Sequence, residues 1–525
     1  MSNRRVFIKQ VGLSSVGLGI LPSFQSFGIP EFFKRHFSLP RSMPEAQGIA
    51  SAGIMKFLDA IKTINQEFHS LMILRHGYVI AEGWWRPYSS EHKQQLYSLS
   101  KSFTGTAVGL AVEAGLLTVD DPVIGFFPDM LPAVISENLA ALKVRHLLSM
   151  SVGHAKDSIL ILEASLPGVP WEKTFLEQPV VFKPGSQFMY NSGASFMLSS
   201  IVKRVSRQTA QDYLQSRLYH PLNITNVTWG ANFEGVNMGA SHLRMPTEDI
   251  AKFGQLYLQN GVWNGKQIIS KEWVKEASSK QMSNGNNDSS WGYGYGFQFW
   301  LNPPGGYRAD GAFGQYSMIL PQLDAVVAIT SESISTKDTM QIVWDVLLPE
   351  MKDKPLTKNT VDHSQLQQEL KALEYYPPKI EATSPVASKI SGKEFTLDTN
   401  PFNAKSVSFA FKGDKCIFTL KEEGKPDINI TNGMGYWIRK DNYKPSAHSL
   451  FSLRRIDFDS IVAASFTWKD EKTLLLTWRF IETVHGDQLT CIFGDDTVKI
   501  KFLFSVNRLQ NRPDDRKDIM GKMIT

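Results

Sequence analysis

A chain of 525 residues is too long for one ordinary core and calls for two domains of roughly 150 to 350 residues each. Its composition, 42% hydrophobic and 20% charged with 26 Pro and 38 Gly spread along the chain, is that of a folded globular protein and excludes a disordered or fibrous one. The net charge is only +5, with Lys and Arg interleaved among Asp and Glu, so no footprint for nucleic acid is present.

Residues 1–28 differ from the rest. Asn3-Arg4-Arg5-Val6-Phe7-Ile8-Lys9 precedes a weakly apolar run, Val11 to Leu21, too short to cross a bilayer as a helix. Paired arginines before x-Phe-Ile-Lys resemble a twin-arginine export signal, with Asn3 where Ser or Thr is usual; the other reading is a basic, amphipathic or disordered N-terminus. Ser26-Phe27-Gly28 is the best cleavage site, and the expected location is the periplasm. No later run reaches about 18 apolar residues, so no transmembrane span is expected in the mature chain.

Phe68 to Trp85 predicts a hairpin turning at His76-Gly77. A helix follows from about Ser98 to Ala114, with Phe103, Ala107, Leu110, Ala111 and Ala114 at three- and four-residue intervals and Gly115 as its stop. Mixed helix and loop then run to about residue 290, including a helix-like Ser195 to Val205. From there Tyr293 to Trp300, Gln315 to Leu320 and Ala325 to Thr330 predict an antiparallel meander, closed by a helix-like Met340 to Leu348. Strands at both ends with helices between imply that the first hairpin and the last meander share one sheet. The expected catalytic domain is 40–352.

Residues 353–390, rich in Lys, Gln, Glu and Pro, predict a linker with one short helix. Beyond it, 391–525 is strand-rich: Lys405 to Phe411, Cys416 to Leu420, Val462 to Trp468, Thr473 to Trp478 and Thr497 to Phe504 have the spacing of a small barrel or sandwich. Such a barrel, lipocalin-like in outline, either caps the catalytic cleft or only packs beside it. Cys416 and Cys491 are left as one bridge or two buried thiols. His76, His92, His146, His154 and His220 show no zinc spacing, and neither a metal nor another cofactor is expected.

Ser98-Leu99-Ser100-Lys101 sets a hydroxyl and an amine one helical turn apart on one face, which suits a nucleophile and its base. A lysine takes up that role only where desolvation or a neighbouring charge keeps it neutral. The same four-residue pattern recurs at Ser90/Lys93 and Ser200/Lys203, but only Ser98 lies between a strand hairpin and an apolar helix. On its own the pair also fits an N-cap serine with a snorkelling lysine.

Lys183-Pro184-Gly185-Ser186-Gln187-Phe188-Met189-Tyr190-Asn191-Ser192 resembles the second signature of the penicillin-binding and class C β-lactamase superfamily. Leu117 to Pro122 and His146 to Gly153 resemble that family's landmarks between its first two motifs, so the likeness spans about residues 45 to 350. It implies an α/β (α+β) fold, an antiparallel sheet flanked by helices. It also implies Ser98 as the acylated residue, Lys101 as its activating partner, Tyr190 as proton shuttle and Ser192 as support for Lys101. Which of Lys101 and Tyr190 acts as base in each half-reaction stays open.

The third signature departs from the family. Where Lys or His, a small residue and Gly are usual, this chain has Gly311-Ala312-Phe313-Gly314-Gln315, without the cation. The Gly314-Gln315 main chain still offers an oxyanion donor from Gln315 to pair with that of Ser98, with Phe313 beside the site. A lost cation weakens recognition of a substrate carboxylate. The Gly-Gln ending and the Tyr293-Gly294-Tyr295 lead-in look closer to the family's esterases and 6-aminohexanoate-dimer hydrolase, and Trp291, Tyr293, Phe313 and Tyr316 are candidates for an apolar acyl pocket. The expected partner is therefore a small-molecule ester, amide or short peptide, cleaved through an acyl-enzyme. The alternatives are a peptidoglycan D-amino-acid peptidase and a catalytically silent ligand-binding protein of the same fold.

Overall fold

The computed structural model describes residues 39–285, 290–445, 449–451 and 458–524, so the expected export signal lies outside the described residues. The first hairpin forms as expected: β1 (Glu67–Arg75) and β2 (Tyr78–Trp84) turn at His76 and Gly77, both at positive φ, as a two-residue primed turn requires. Later come β3 (Trp300–Leu301), β4 (Tyr307–Gly311), β5 (Gln315–Leu320) and β6 (Ala325–Glu332). They join the hairpin in one sheet ordered β2-β1-β6-β5-β4-β3, with Leu71 opposite Ile329 and Met72 opposite Ala328. Sequence ends about 250 residues apart thus become neighbours, which is the joining expected of strands at both ends of one domain.

β1 is buried throughout because both sheet faces are covered. Leu71 and Ile73 point to one core with Phe57 and Leu58 of α1 (Ser51–Lys62), while Met72 and Leu74 point to the larger core with Phe103 and Phe253. Phe103 lies on α2 (Ser100–Glu113), which is buried from Ser100 to Ala111 and so has no solvent face. Against it pack α3 (Ser192–Ser206) and α4 (Thr247–Leu258).

Two stretches differ from the sequence expectation. Tyr293 to Phe299 is irregular and only Trp300–Leu301 pairs as strand. Gly296 explains this, since a Cβ there would meet the Ala277 carbonyl oxygen at 2.0 Å. Gln298, at φ 65°, then spends its side chain on the Leu148 carbonyl (2.9 Å) and on the Ser195 hydroxyl (2.7 Å) instead of a strand partner. The 353–390 segment carries α5 (Thr360–Ala372), capped by Asn359, whose Leu366 and Leu370 are buried in the core of α1 and β1.

The C-terminal unit is a barrel of nine strands among the described residues. They are β7 (Glu394–Leu397), β8 (Ala404–Lys412), β9 (Lys415–Glu422), β10 (Ile428–Met434), β11 (Ser460–Trp468), β12 (Thr473–Phe480), β13 (Gly486–Phe493), β14 (Thr497–Phe504) and β15 (Ile519–Met523). Closure comes from a short parallel pairing of β10 with β11, Gly433 opposite Ser465 and Met434 opposite Phe466. β9 and β14 alternate buried and less buried residues with period two. The interior holds Phe409, Phe418, Trp478 and Phe493, with Cys416 and Cys491 beside them as free, fully buried thiols. No helix among the described residues is long and apolar enough to cross a membrane.

Candidate active site

Ser98 sits in a single 3₁₀ turn, Tyr97–Leu99, that feeds directly into α2. The spacing of Ser98 and Lys101 puts both on one face, and Lys101 Nζ lies 3.1 Å from Ser98 Oγ. The same amine lies 3.1 Å from the carbonyl oxygen of Ala240 and 3.3 Å from Ser192 Oγ, and 4.8 Å from the centre of the Tyr190 ring. Lys101 is only 2% exposed. That burial pulls its pKa down to about 7, against the smaller opposing pull of Asp157.

Tyr190 closes the other side of the Lys101 amine, its ring centre 4.8 Å from Nζ. Burial pushes the phenol well above its ordinary range, and Asp310 and Asp157 add to the rise. Its ring stacks on Trp300 at 5.4 Å and meets Tyr295 edge-on at 6.3 Å. The next residue, Asn191, caps α3: its buried Oδ1 accepts from the Ala194 N–H and the Ser158 hydroxyl. Asp157 Oδ1 accepts from the Ser192 N–H at 2.8 Å, fixing the hydroxyl that touches Lys101. His154 is packed on Phe175 and held by burial to a pKa of about 4, so at neutral pH it is uncharged.

The third segment is the turn between β4 and β5. Gln315 pairs with Gly311 across it, and the Gln315 side chain is bound to the Ser331 carbonyl at 2.7 Å. Gly311 lies against the main chain that precedes Ser98: a Cβ there would meet the Leu96 carbonyl oxygen at 2.1 Å. Phe313 and Gly314 turn with positive φ, 64° and 85°. Arg308, one turn of sheet away, is fully buried and bound to Asp310 at 2.8 Å, so it is already paired.

The other two serine–lysine pairs do not meet. Ser200 bonds Glu172 while Lys203 reaches the carbonyl oxygens of Glu234 and Gly235, and Ser90 is exposed with Lys93 facing Glu482. Among the pocket candidates, Tyr316 faces the opposite layer, its hydroxyl donating to the Thr336 carbonyl. Sequence reasoning missed Ala240, which takes part only through its carbonyl and leaves no side-chain signal. It also missed Asp157, Trp300 and, from the barrel, His485, whose Nε2 is 2.8 Å from the Tyr97 hydroxyl. Among the described residues no cluster of three or more His, Cys, Asp and Glu side chains is arranged to hold a metal ion.

Comparison with known proteins gives the family. The model named Beta-lactamase matches residues 64–345, which contain the three segments above. The chain is 24% identical over 282 residues to the 6-aminohexanoate-dimer hydrolase of Paenarthrobacter ureafaciens, covering 49% of this chain and 71% of that one. It is 21% identical over 318 residues to an uncharacterised protein of Alkalihalophilus pseudofirmus, covering 53% and 87%. Among solved structures, EstCE1, a hydrolase with promiscuous acyltransferase activity, aligns with a TM-score of 0.48 at 16% identity, covering 56% of this chain and 98% of that one. The chain belongs to the Beta-lactamase family and is, at that level, a β-lactamase-fold hydrolase.

Proposed function

We propose that this chain is a serine hydrolase that cleaves an ester or amide through an acyl-enzyme on Ser98, exported to the periplasm by a twin-arginine-type signal. The observation that carries this is the amine of Lys101, 3.1 Å from Ser98 Oγ and pulled by burial to a pKa of about 7. A neutral amine has two hydrogens and one lone pair. With the hydrogens given to the Ala240 carbonyl and Ser192 Oγ, the lone pair is left for the Ser98 proton.

Tyr190, held as a neutral phenol by its raised pKa, is the poorer base at neutral pH and the better relay. Ser98 Oγ attacks the substrate carbonyl carbon and its proton passes to Lys101. The oxyanion is received by the Ser98 N–H and a main-chain N–H of the 311–315 turn, where Gln315 is the expected donor. Collapse expels the alkoxide or amine, which takes its proton from the Lys101–Tyr190 pair. Water then attacks the acyl carbon along the reverse proton path and frees Ser98.

The aromatic wall of Trp300, Tyr295 and Phe188 beside Tyr190, with Arg308 already paired, favours an uncharged, apolar or aromatic acyl group over a carboxylate-bearing one. The test is steady-state hydrolysis of p-nitrophenyl esters and anilides by the wild type and by Ser98→Ala. Turnover by the first and none by the second is expected; equal turnover by both would remove Ser98 from the chemistry.

A further inference from the structure

We propose that the C-terminal barrel is a working part of this active site, with His485 as a positioning residue that holds Tyr97 and, through it, the Ser98 turn; this rests on Ser98 being the nucleophile. The turn between β12 and β13 is laid along the strand that leads to Ser98. Gln95 donates its N–H to the Glu482 carbonyl at 3.2 Å, the Gln94 side chain reaches the Ile481 carbonyl, and Arg244 pairs with Glu482 at 3.3 Å.

At the end of this seam stands His485. Its Nδ1 lies 2.6 Å from Glu332 Oε1, which also accepts from the Ser505 hydroxyl at 2.6 Å. Glu332 is wholly buried at the end of β6, so it fixes the imidazole through Nδ1 and turns Nε2 to the Tyr97 hydroxyl, 2.8 Å away. The imidazole edge also meets the Phe313 ring at 4.8 Å, and Phe313 meets Tyr97 at 5.2 Å. One side chain from the barrel thus touches the residue before the nucleophile and the turn that carries the second oxyanion donor.

Those two contacts fall where the main chain is least free. Tyr97 has φ 48° and Phe313 φ 64°, left-handed conformations that are unfavourable for a bulky residue and persist only when the surroundings enforce them. Removal of the hold on the Tyr97 hydroxyl lets the Tyr97–Ser98 peptide relax. A nucleophile displaced by about 1 Å forfeits up to roughly 100-fold in rate.

The test is kinetic, on the full chain. Tyr97→Phe keeps the ring contacts and deletes only the hydroxyl. His485→Gln carries its amide to about the position of Nε2, whereas His485→Asn reaches only toward Glu332. Tyr97→Phe and His485→Asn should lower kcat for p-nitrophenyl esters by about 10-fold or more with KM within about 2-fold, and slow fluorophosphonate labelling of Ser98 in proportion. His485→Gln should recover part of the loss, and the Tyr97→Phe/His485→Asn double variant should be no worse than the poorer single. Wild-type rates in Tyr97→Phe and His485→Asn, with Ser98 still labelled, would overturn the proposal and leave the nucleophile assignment standing. So would a loss that only follows falling thermal stability, with Gln no better than Asn. A wild type that takes no label at Ser98 would overturn the nucleophile assignment and this positioning role together.

Discussion

Arg479 of the barrel and Glu67 of the catalytic sheet form an ion pair buried on both sides, with 3.0 Å between Nη2 and Oε1, and Arg508 closes on the same carboxylate. Burial alone would push the Glu67 carboxyl up, but the two guanidiniums outweigh it and hold it well below the usual carboxylate range. Arg479→Ala leaves Glu67 buried without its main partner and should destabilise the chain by about 3–5 kcal/mol in denaturant titrations. The double replacement Glu67→Leu/Arg479→Met should cost less than either single change.

The same pair sets a pH dependence. A carboxyl whose folded pKa lies below its unfolded value contributes stability that is complete above the unfolded pKa and lost as pH falls toward the folded one. For Glu67 the loss begins below about 4.5. Thermal melts should therefore fall more steeply with acid in the wild type than in Glu67→Gln over that window; parallel curves would remove the pair from the acid response.

Lys101 costs stability where Glu67 contributes it, with the same sign of pH dependence. Its folded pKa, about 7, lies below the 10.5 of an unperturbed lysine, so below pH 7 the full cost of holding it buried is present. Between 7 and 10.5 the unfolded chain binds a proton that the folded chain does not, and stability rises with pH. Lys101→Met should be inactive, more stable than wild type at pH 6 by a few kcal/mol, and flat across that window.

Activity should follow the same proton. With Lys101 as the base, the acid limb of kcat/KM for an ester should have an apparent pKa near 7. Tyr190→Phe should keep that limb while lowering the plateau by about 100-fold or more. A limb that moves with Tyr190→Phe would transfer the base role to the phenol.

The departure in the third signature bears on substrate. Arg308, the cation nearest in sequence to the 311–315 turn, is consumed by Asp310 and the Asn302 side chain. Penicillins and cephalosporins should be turned over at least about 100-fold less efficiently than p-nitrophenyl esters, as measured by kcat/KM. Comparable efficiency would mean that another group receives the carboxylate.

Much of this was legible in the residues. The continuous strand runs of β1, β5 and β6, the alternating barrel strands β9 and β14, the His76-Gly77 turn and the stop at Gly115 all rest on local chemistry, and they appear where the sequence puts them. Ser98, Lys101 and Tyr190 meet because helix spacing brings the first two together and a recognisable stretch supplies the third. What escaped depends on contacts between distant segments. The Tyr293 to Phe299 run alternates like a strand, yet Gly296 must lie against a carbonyl and the Gln298 side chain must tie Leu148 to Ser195. β10 keeps its apolar alternation only as far as Ile430; its next inward residue is Asn432, which is satisfied by the Trp478 indole N–H and by the Cys416 carbonyl on the adjacent strand. His485 carries no motif; only the docking of barrel on sheet gives it a role.

The nucleophile assignment is tested by intact mass after reaction of the chain and its Ser98→Ala variant with a fluorophosphonate, followed by peptide mapping. One adduct per chain, on the peptide holding Ser98 and absent from the variant, is expected. A folded wild type that takes up no label, or an adduct that survives in Ser98→Ala, would contradict it.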